Sequence, residues 1–207
     1  MFMKKNYLTG YKLFFGLLGL SAVITEIAVI AERGVFNAAN FFSFFTIESN
    51  LFAAIVLVAG AFAVYAGKKS RWLDYFRGAA TFFMVVTGVV FAILLSGLEG
   101  VALTAVPWDN TVLHYIMPIA MVIDWIMDPP ARRFRYRQAL AWLIFPVLYL
   151  GYSLVRGPIV NWYPYPFLNP ANGGYEQILV TSLIILVGGF VMVYLVSRVG
   201  NVAKKKK

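Results

Sequence analysis

Six apolar stretches of the chain are each about as long as a helix that crosses a lipid bilayer. They run approximately over residues 11–32, 41–65, 78–98, 110–128, 138–156 and 175–197. A hydrocarbon core of about 30 Å needs roughly 20 helical residues. Because a bilayer interior leaves no backbone polar group unpaired, it admits only helices and closed barrels. The pattern therefore predicts an all-α, polytopic bundle of six transmembrane helices that forms one domain over residues 1–207.

The composition agrees with a membrane class. The chain is 61% hydrophobic and 13% charged, with a mean hydropathy of +0.76, which is too apolar for a soluble domain of this size. Lys4 and Lys5 precede the first stretch as they would in a signal peptide, but this stretch is long, contains Glu26 and lacks a clear small-residue cleavage site. We therefore expect it to be the first helix of the bundle.

Lysine and arginine are distributed unevenly between the connections. All of them except Arg33 and Arg156 flank the first stretch, lie in the second and fourth connections, or follow the sixth stretch. The positive-inside rule then predicts that both termini are cytoplasmic. It also explains the net charge of +9, so we expect bilayer lipids rather than nucleic acid as partners. The short loops favour a bacterial plasma membrane.

Two polar clusters interrupt the apolar stretches, one at residues 45–50 and one at 113–118. Polar side chains at membrane depth are costly and usually face the bundle interior. Counted from the helix ends, Glu26, Thr46 and the only histidine, His114, lie roughly 6–9 Å below the outer surface. One layer of the bundle can therefore hold all three side chains.

Helical spacing separates the polar side chains of the second stretch. Thr46, Ser49 and Asn50 stand at i, i+3 and i+4 and share a face, whereas Glu48 points about 200° away from Thr46. On the fourth stretch, Pro118 has no N–H for the carbonyl of the residue four positions earlier. We therefore predict a kink beside the histidine, with Thr46 and Asn50 facing the same cavity.

These residue types suggest nucleophilic catalysis. A threonine hydroxyl becomes a useful nucleophile when a base takes its proton, and a neutral imidazole is the usual base near neutral pH. Thr46 and His114 could therefore form an acyl-enzyme. A third group normally orients the imidazole, and Glu26, Glu48 or Asn110 could fill that role. No cysteine is present, so thiol catalysis is excluded, and the motifs indicate neither a metal site nor a cofactor.

Other interpretations of the same residues stay open. Glu26, Glu48 and His114 could relay protons or bind a solute in a small transporter, or the chain could bind lipid without turnover. Threonine and asparagine also join membrane helices without any chemical role. The two glutamates could instead pair with Arg156 or with one another, and we expect Asp124 to meet the basic run at residues 132–137.

The fifth connection, residues 157–174, is rich in proline and glycine, so we expect no helix there. Its aromatic residues, including Trp162, suit either a lid over the outer mouth or a belt at headgroup depth. Arg156 at its start could hold a substrate carboxylate or extend to the membrane surface.

Three motifs carry a resemblance to a known family. They are Phe41-Phe42-Ser43-Phe44-Phe45-Thr46-Ile47-Glu48-Ser49-Asn50-Leu51, then Leu113-His114-Tyr115-Ile116-Met117-Pro118 with Asp124-Trp125, and Asn161-Trp162-Tyr163-Pro164-Tyr165-Pro166-Phe167-Leu168-Asn169-Pro170. In this order they resemble the bacterial six-helix proteins called the Pr-six-Pr family. That family is more distantly similar to the animal androgen-induced and androgen-dependent TFPI-regulating membrane hydrolases.

The resemblance implies a specific activity. Those hydrolases split fatty acid esters of hydroxy fatty acids with a threonine nucleophile and a histidine inside the membrane, and Thr46 and His114 are the matching positions here. It therefore implies a threonine-dependent carboxylic ester hydrolase whose substrate is a membrane lipid or fatty acyl ester. The chain departs from the hydrolases at Glu48 and in its tryptophan- and proline-rich fifth connection.

Overall fold

The computed structural model describes residues 2–98 and 104–205. Within these ranges the chain is helical and has no strand, and six helical segments are long and apolar enough to cross a membrane. This confirms the predicted all-α polytopic bundle. The helices described are α1 (Phe2–Glu32), α2 (Ala38–Phe41), α3 (Phe45–Tyr65), α4 (Arg71–Val90), α5 (Pro107–Thr111), α6 (Met117–Met127), α7 (Tyr136–Ala139), α8 (Ile144–Val160) and α9 (Gly174–Lys205).

Turns of π-helix or 3-10 helix join or extend several of these α-helices, so that each resulting segment forms one membrane span. A π-helical turn, Phe91–Leu95, extends α4, and a second one, Val112–Ile116, joins α5 to α6. A 3-10 turn, Leu140–Leu143, joins α7 to α8. The fourth span is therefore Pro107–Met127, and the fifth is Tyr136–Val160.

The helix ends differ from the predicted bounds where local caps decide them. α4 begins at Arg71 rather than near residue 78, because the Ser70 hydroxyl accepts the Leu73 N–H at 3.4 Å and caps the first turn. The second span begins at Phe45, after the short α2 and a bend. Both differences arise from side-chain and backbone geometry that hydropathy does not contain.

The prediction that no helix occurs at residues 157–174 is wrong for the first four of them and for Gly174, where α9 begins. α8 continues to Val160, with Pro158 in its last turn, and ends at Asn161 in the left-handed conformation, with φ 49°. Further along, the connection forms two 3-10 turns, Pro166–Leu168 and Pro170–Asn172. It is therefore an ordered segment that packs on the bundle.

Burial separates a central span from the peripheral ones. In the third span, 61% of the most apolar segment is buried, against 17% in the sixth, so α4 lies inside the bundle and α9 lies at its periphery. Glycines permit close approach of helices: a Cβ on Gly16 would lie 2.9 Å from Val58 Cγ2 of α3, and one on Gly78 would lie 2.5 Å from the Trp142 ring. These contacts hold α1 on α3 and the fifth span on α4.

Candidate functional site

Thr46 is the second residue of α3, where backbone N–H groups lack partners within the helix. Its N–H donates to the Tyr165 hydroxyl at 3.1 Å. Its Oγ1 lies 3.3 Å from His114 Nε2 and 3.2 Å from the Tyr165 hydroxyl. All three residues are buried. We call Thr46, His114 and Tyr165 the hydroxyl site.

The contacts of His114 determine which ring nitrogen is free to act as a base. Nδ1 lies 3.2 Å from the backbone oxygen of Asn110, which can only accept, so Nδ1 carries the proton. Nε2 then has a lone pair that faces Thr46 Oγ1, and the threonine hydroxyl donates to it. The imidazole also stacks on the Phe91 ring at a centroid distance of 4.1 Å.

The π-helical turn around His114 has an identifiable cause. Met117 N–H bonds to Val112 O, five residues back, and Pro118 has no N–H to offer the next carbonyls. The Leu113 carbonyl takes its bond from Asn50 instead: Asn50 Nδ2 donates to Leu113 O at 3.1 Å and to Thr46 O at 2.8 Å. Asn50 therefore fixes the start of α3 against the turn that carries the histidine.

The burial of α3 follows the expected spacing, but Asn50 does not line the cavity that Thr46 lines, contrary to the prediction, because its amide bonds to backbone carbonyls instead. Thr46, Ser49 and Asn50 are buried, whereas Glu48 is only partly buried. The Ser49 hydroxyl bonds to the Thr87 hydroxyl of α4 at 2.9 Å. Ser49 therefore joins α3 to α4 and has no bond to the histidine.

An apolar cavity of about 260 Å³ adjoins the hydroxyl site. Thr46 and Tyr165 belong to its wall, and most of the other lining side chains are hydrocarbon. At its mouth, Val147 of α8 and Leu179 and Leu183 of α9 are each at least half exposed. These exposed lining residues place the opening of the cavity between α8 and α9.

Two of the acids considered as the third group lie away from the histidine. Both Glu26 oxygens accept the Ala105 N–H, at 2.9 and 2.8 Å. Glu48 Oε2 is buried without a hydrogen-bond partner. Within the described ranges, no hydrogen bond joins either carboxylate to His114. Asn110 contributes its backbone carbonyl to the histidine, not its side chain.

Arg156 and Trp162 form a separate contact at the outer end of α8. Arg156 donates to Asn40 Oδ1 at 2.6 Å, and its guanidinium lies 5.4 Å from the centre of the Trp162 ring. Trp162 in turn packs edge-on against Phe44. In the part of the chain that the structure describes, Arg156 has no ion pair with Glu26 or Glu48.

A second buried polar region lies farther along the same helices. From His114 to Asp124 the chain advances ten residues, about 15 Å along a helix. Lys12 and Asp124 are fully buried and paired with each other. The region, which we call the ionic cluster, consists of Lys12, Asp74, Arg77, Asp124 and Asp128.

The ionic cluster corrects one expectation. Asp124 pairs with Lys12 of α1 and, at 2.7 Å, with Arg77 of α4, not with the basic run at residues 132–137. Both cations were expected at the membrane surface, but α1 begins at Phe2 and α4 at Arg71, so Lys12 and Arg77 lie inside their helices. Arg77 and Lys12 also hold the pKa of Asp128 below its usual value, although burial of that carboxyl acts to raise it.

Tyr165 is the site residue that the sequence interpretation missed. It was counted only among the aromatic residues of the fifth connection. The available signal was its position between Pro164 and Pro166, which restricts the backbone on both sides. That signal indicates rigidity but gives no direction for the side chain.

The residues described include no group of three or more histidine, cysteine or acidic side chains that could hold a metal ion. Comparisons with known protein families, curated proteins and solved structures found no match. The chemical argument therefore depends on the site itself. That site pairs a hydroxyl with a neutral imidazole, in reach of a phenol and beside an apolar cavity, which is an arrangement suited to acyl transfer.

Proposed function

We propose that this chain is an intramembrane esterase that hydrolyses fatty acyl esters, with Thr46 as the nucleophile and His114 as the general base. The observation that carries the proposal is the 3.3 Å distance between Thr46 Oγ1 and His114 Nε2. Catalytic hydrogen bonds are often this long before substrate binds. Fatty acid esters of hydroxy fatty acids are the substrates that the resemblance implies.

His114 has the contacts that a base requires. The Asn110 carbonyl keeps the proton on Nδ1 and so supplies the orienting role that a third side chain has in other hydrolases. The Phe91 ring lies nearly parallel to the imidazole, at 21°, and its face favours the cation that forms when Nε2 takes the threonine proton.

The cavity supports a lipid as the substrate. Its lining is hydrocarbon apart from a few polar groups, and a long acyl chain gains free energy by leaving water for such a surface. The mouth between α8 and α9 faces the bilayer, so the acyl chain enters from the membrane. We infer cytoplasmic termini from the distribution of lysine and arginine, and we propose a bacterial plasma membrane because the loops are short.

The test uses detergent-purified protein, a fluorophosphonate probe and a panel of fatty acyl esters. We expect the wild type to be labelled and to release fatty acid, and we expect Thr46→Ala and His114→Ala to lose both. Thr46→Ser, which keeps the hydroxyl, should retain measurable turnover.

Thr81→Ala is the matched control. Thr81 is a buried threonine whose hydroxyl bonds to Arg77 O of its own helix at 2.8 Å, away from the cavity. It should behave as wild type. A wild type that is inert toward every ester, or a Thr46→Ala variant that still hydrolyses them, would contradict the proposal. A proton-gradient-dependent flux in liposomes would then favour the relay through Glu26, Glu48 and His114.

A further inference from the structure

An esterase must stabilise the negative oxygen that forms when a hydroxyl attacks a carbonyl, and this is usually its largest catalytic contribution. We propose that the Tyr165 hydroxyl is the donor to that oxygen, so that Tyr165 is a catalytic residue supplied by the fifth connection. The inference rests on the proposed esterase function. It adds a residue that neither the threonine–histidine pair nor the resemblance assigns.

The hydrogen bonds of Tyr165 show that its proton is available. Its oxygen accepts the Thr46 N–H at 3.1 Å, so the phenol proton is free to point at Thr46 Oγ1, 3.2 Å away. Thr46 meanwhile gives its own proton to His114 Nε2. An ester carbonyl that approaches Oγ1 brings its oxygen beside the phenol, which reaches it by rotation of one O–H bond.

The phenol is held rigidly in place. Tyr165 is 7% exposed, its ring stacks on Phe167 with 4° between the planes, and Phe44 packs edge-on against it. Its backbone is extended, at φ −132° and ψ 143°, as expected for a residue that precedes proline. A preorganised donor needs no reorganisation during the reaction.

The same surroundings keep the donor neutral. Burial raises the pKa of the Tyr165 phenol above its ordinary value, because the phenolate would lose its hydration. The group therefore retains its proton at neutral pH. The N-terminus of α3 also carries partial positive charge, and Thr46 lies within its first turn.

The proposed step balances as follows. Thr46 Oγ1 bonds to the ester carbon while its proton moves to His114 Nε2, and the carbonyl electron pair moves onto the oxygen that Tyr165 contacts. When the tetrahedral intermediate collapses, the bond to the alcohol oxygen breaks and that oxygen takes the proton from His114. Water then repeats the two stages on the acyl-threonine and releases the fatty acid.

The test compares Tyr165→Phe with Tyr152→Phe. The control removes another phenol, which bonds to the Ser43 hydroxyl at 2.9 Å and does not contact Thr46. We expect Tyr165→Phe to lower kcat by about 10²–10³-fold with little change in KM, as removal of one oxyanion donor does. Its affinity for a trifluoromethyl ketone, which forms a tetrahedral oxyanion, should fall by the same factor as kcat/KM.

A second measurement covers poor folding of Tyr165→Phe. A fluorinated tyrosine at position 165 keeps the ring and the hydroxyl but ionises at lower pH, so turnover should decline at a lower pH than in the wild type. Tyr165 loses the proposed role if kcat stays within about threefold of wild type, if ketone affinity is unchanged, or if the pH profile does not move. An inert wild type would instead overturn the esterase itself.

Discussion

The hydroxyl site and the ionic cluster are both buried and polar, but they differ in charge and access. At the hydroxyl site, neutral groups meet at 3.1–3.3 Å beside an open cavity. In the ionic cluster, Asp124 is fully buried between Lys12 and Arg77. The carboxylate of Asp124 is occupied by two ion pairs between helices, whereas a hydroxyl and an imidazole in contact can exchange a proton. The comparison indicates that one region suits chemistry and the other holds helices together.

The largest expected effect is the loss of turnover without loss of folding. Thr46→Val keeps the shape of the side chain but removes the nucleophile, so ester turnover should fall by at least about 10⁴-fold. The protein should still fold, although the thermal unfolding temperature in detergent should fall, because His114 Nε2 and the Tyr165 hydroxyl lose a partner. Turnover that survives in Thr46→Val would remove the distinction between the two regions.

The ionic cluster should respond in the opposite way. Asp124→Ala removes the fully buried carboxylate between Lys12 and Arg77 and leaves Asp128 as the one carboxylate that pairs with both cations in the described ranges, which costs about 3–5 kcal/mol of unfolding free energy. Thermal unfolding in detergent measures the loss, and turnover per folded molecule should equal that of the wild type. Asp74→Ala is the control, since Asp74 has only one ion pair in the described ranges, and it should cost less.

Asn50→Ala tests a residue that contributes to both properties. The change leaves Leu113 O and Thr46 O without their amide donor, which costs about 1–3 kcal/mol. It also frees the turn that carries His114, so turnover should fall by about 10–100-fold. Parallel melting and kinetic measurements on one preparation check both. A loss of stability alone would show that Asn50 does not position the histidine.

The smallest expected effect is that of Glu48→Gln. In the described ranges Glu48 makes no hydrogen bond to Thr46 or His114, and a negative charge on this side chain would oppose the oxyanion of the proposed mechanism. Turnover should therefore stay equal to that of the wild type or rise. Initial rates on the same ester panel provide the measurement, and a marked decrease would favour a proton relay through this carboxylate.

The sequence predicted the parts of the fold that depend on hydropathy. The six spans follow from their length and apolar content, and the burial of Thr46, Ser49 and Asn50 follows from the helical period. The depths counted from the helix ends also predicted that Thr46 and His114 lie in one layer, and the two side chains are in contact. These features depend on the spacing of polar and apolar residues along the chain, which can be read directly from the sequence.

Other features depend on contacts between distant residues. Lys12 and Arg77 looked like charges of the membrane surface, since nothing nearby in sequence reveals their partner Asp124. Tyr165 lies 119 positions from Thr46, and only the path of the fifth connection brings them together. Pro118 predicted a kink beside the histidine, and the structure has a π-helical turn there. The bond that Asn50 donates to this turn could not be predicted, because it depends on how α3 packs.

The mouth between α8 and α9 has a consequence for how affinity is defined. A ligand that enters there comes from the bilayer and not from water. The occupancy of the cavity is therefore set by the mole fraction of the ligand among the lipids. A dissociation constant expressed per litre of buffer would combine partition into the membrane with binding to the protein. Diluting the ester with inert lipid should then lower occupancy even when its total amount in the sample is constant.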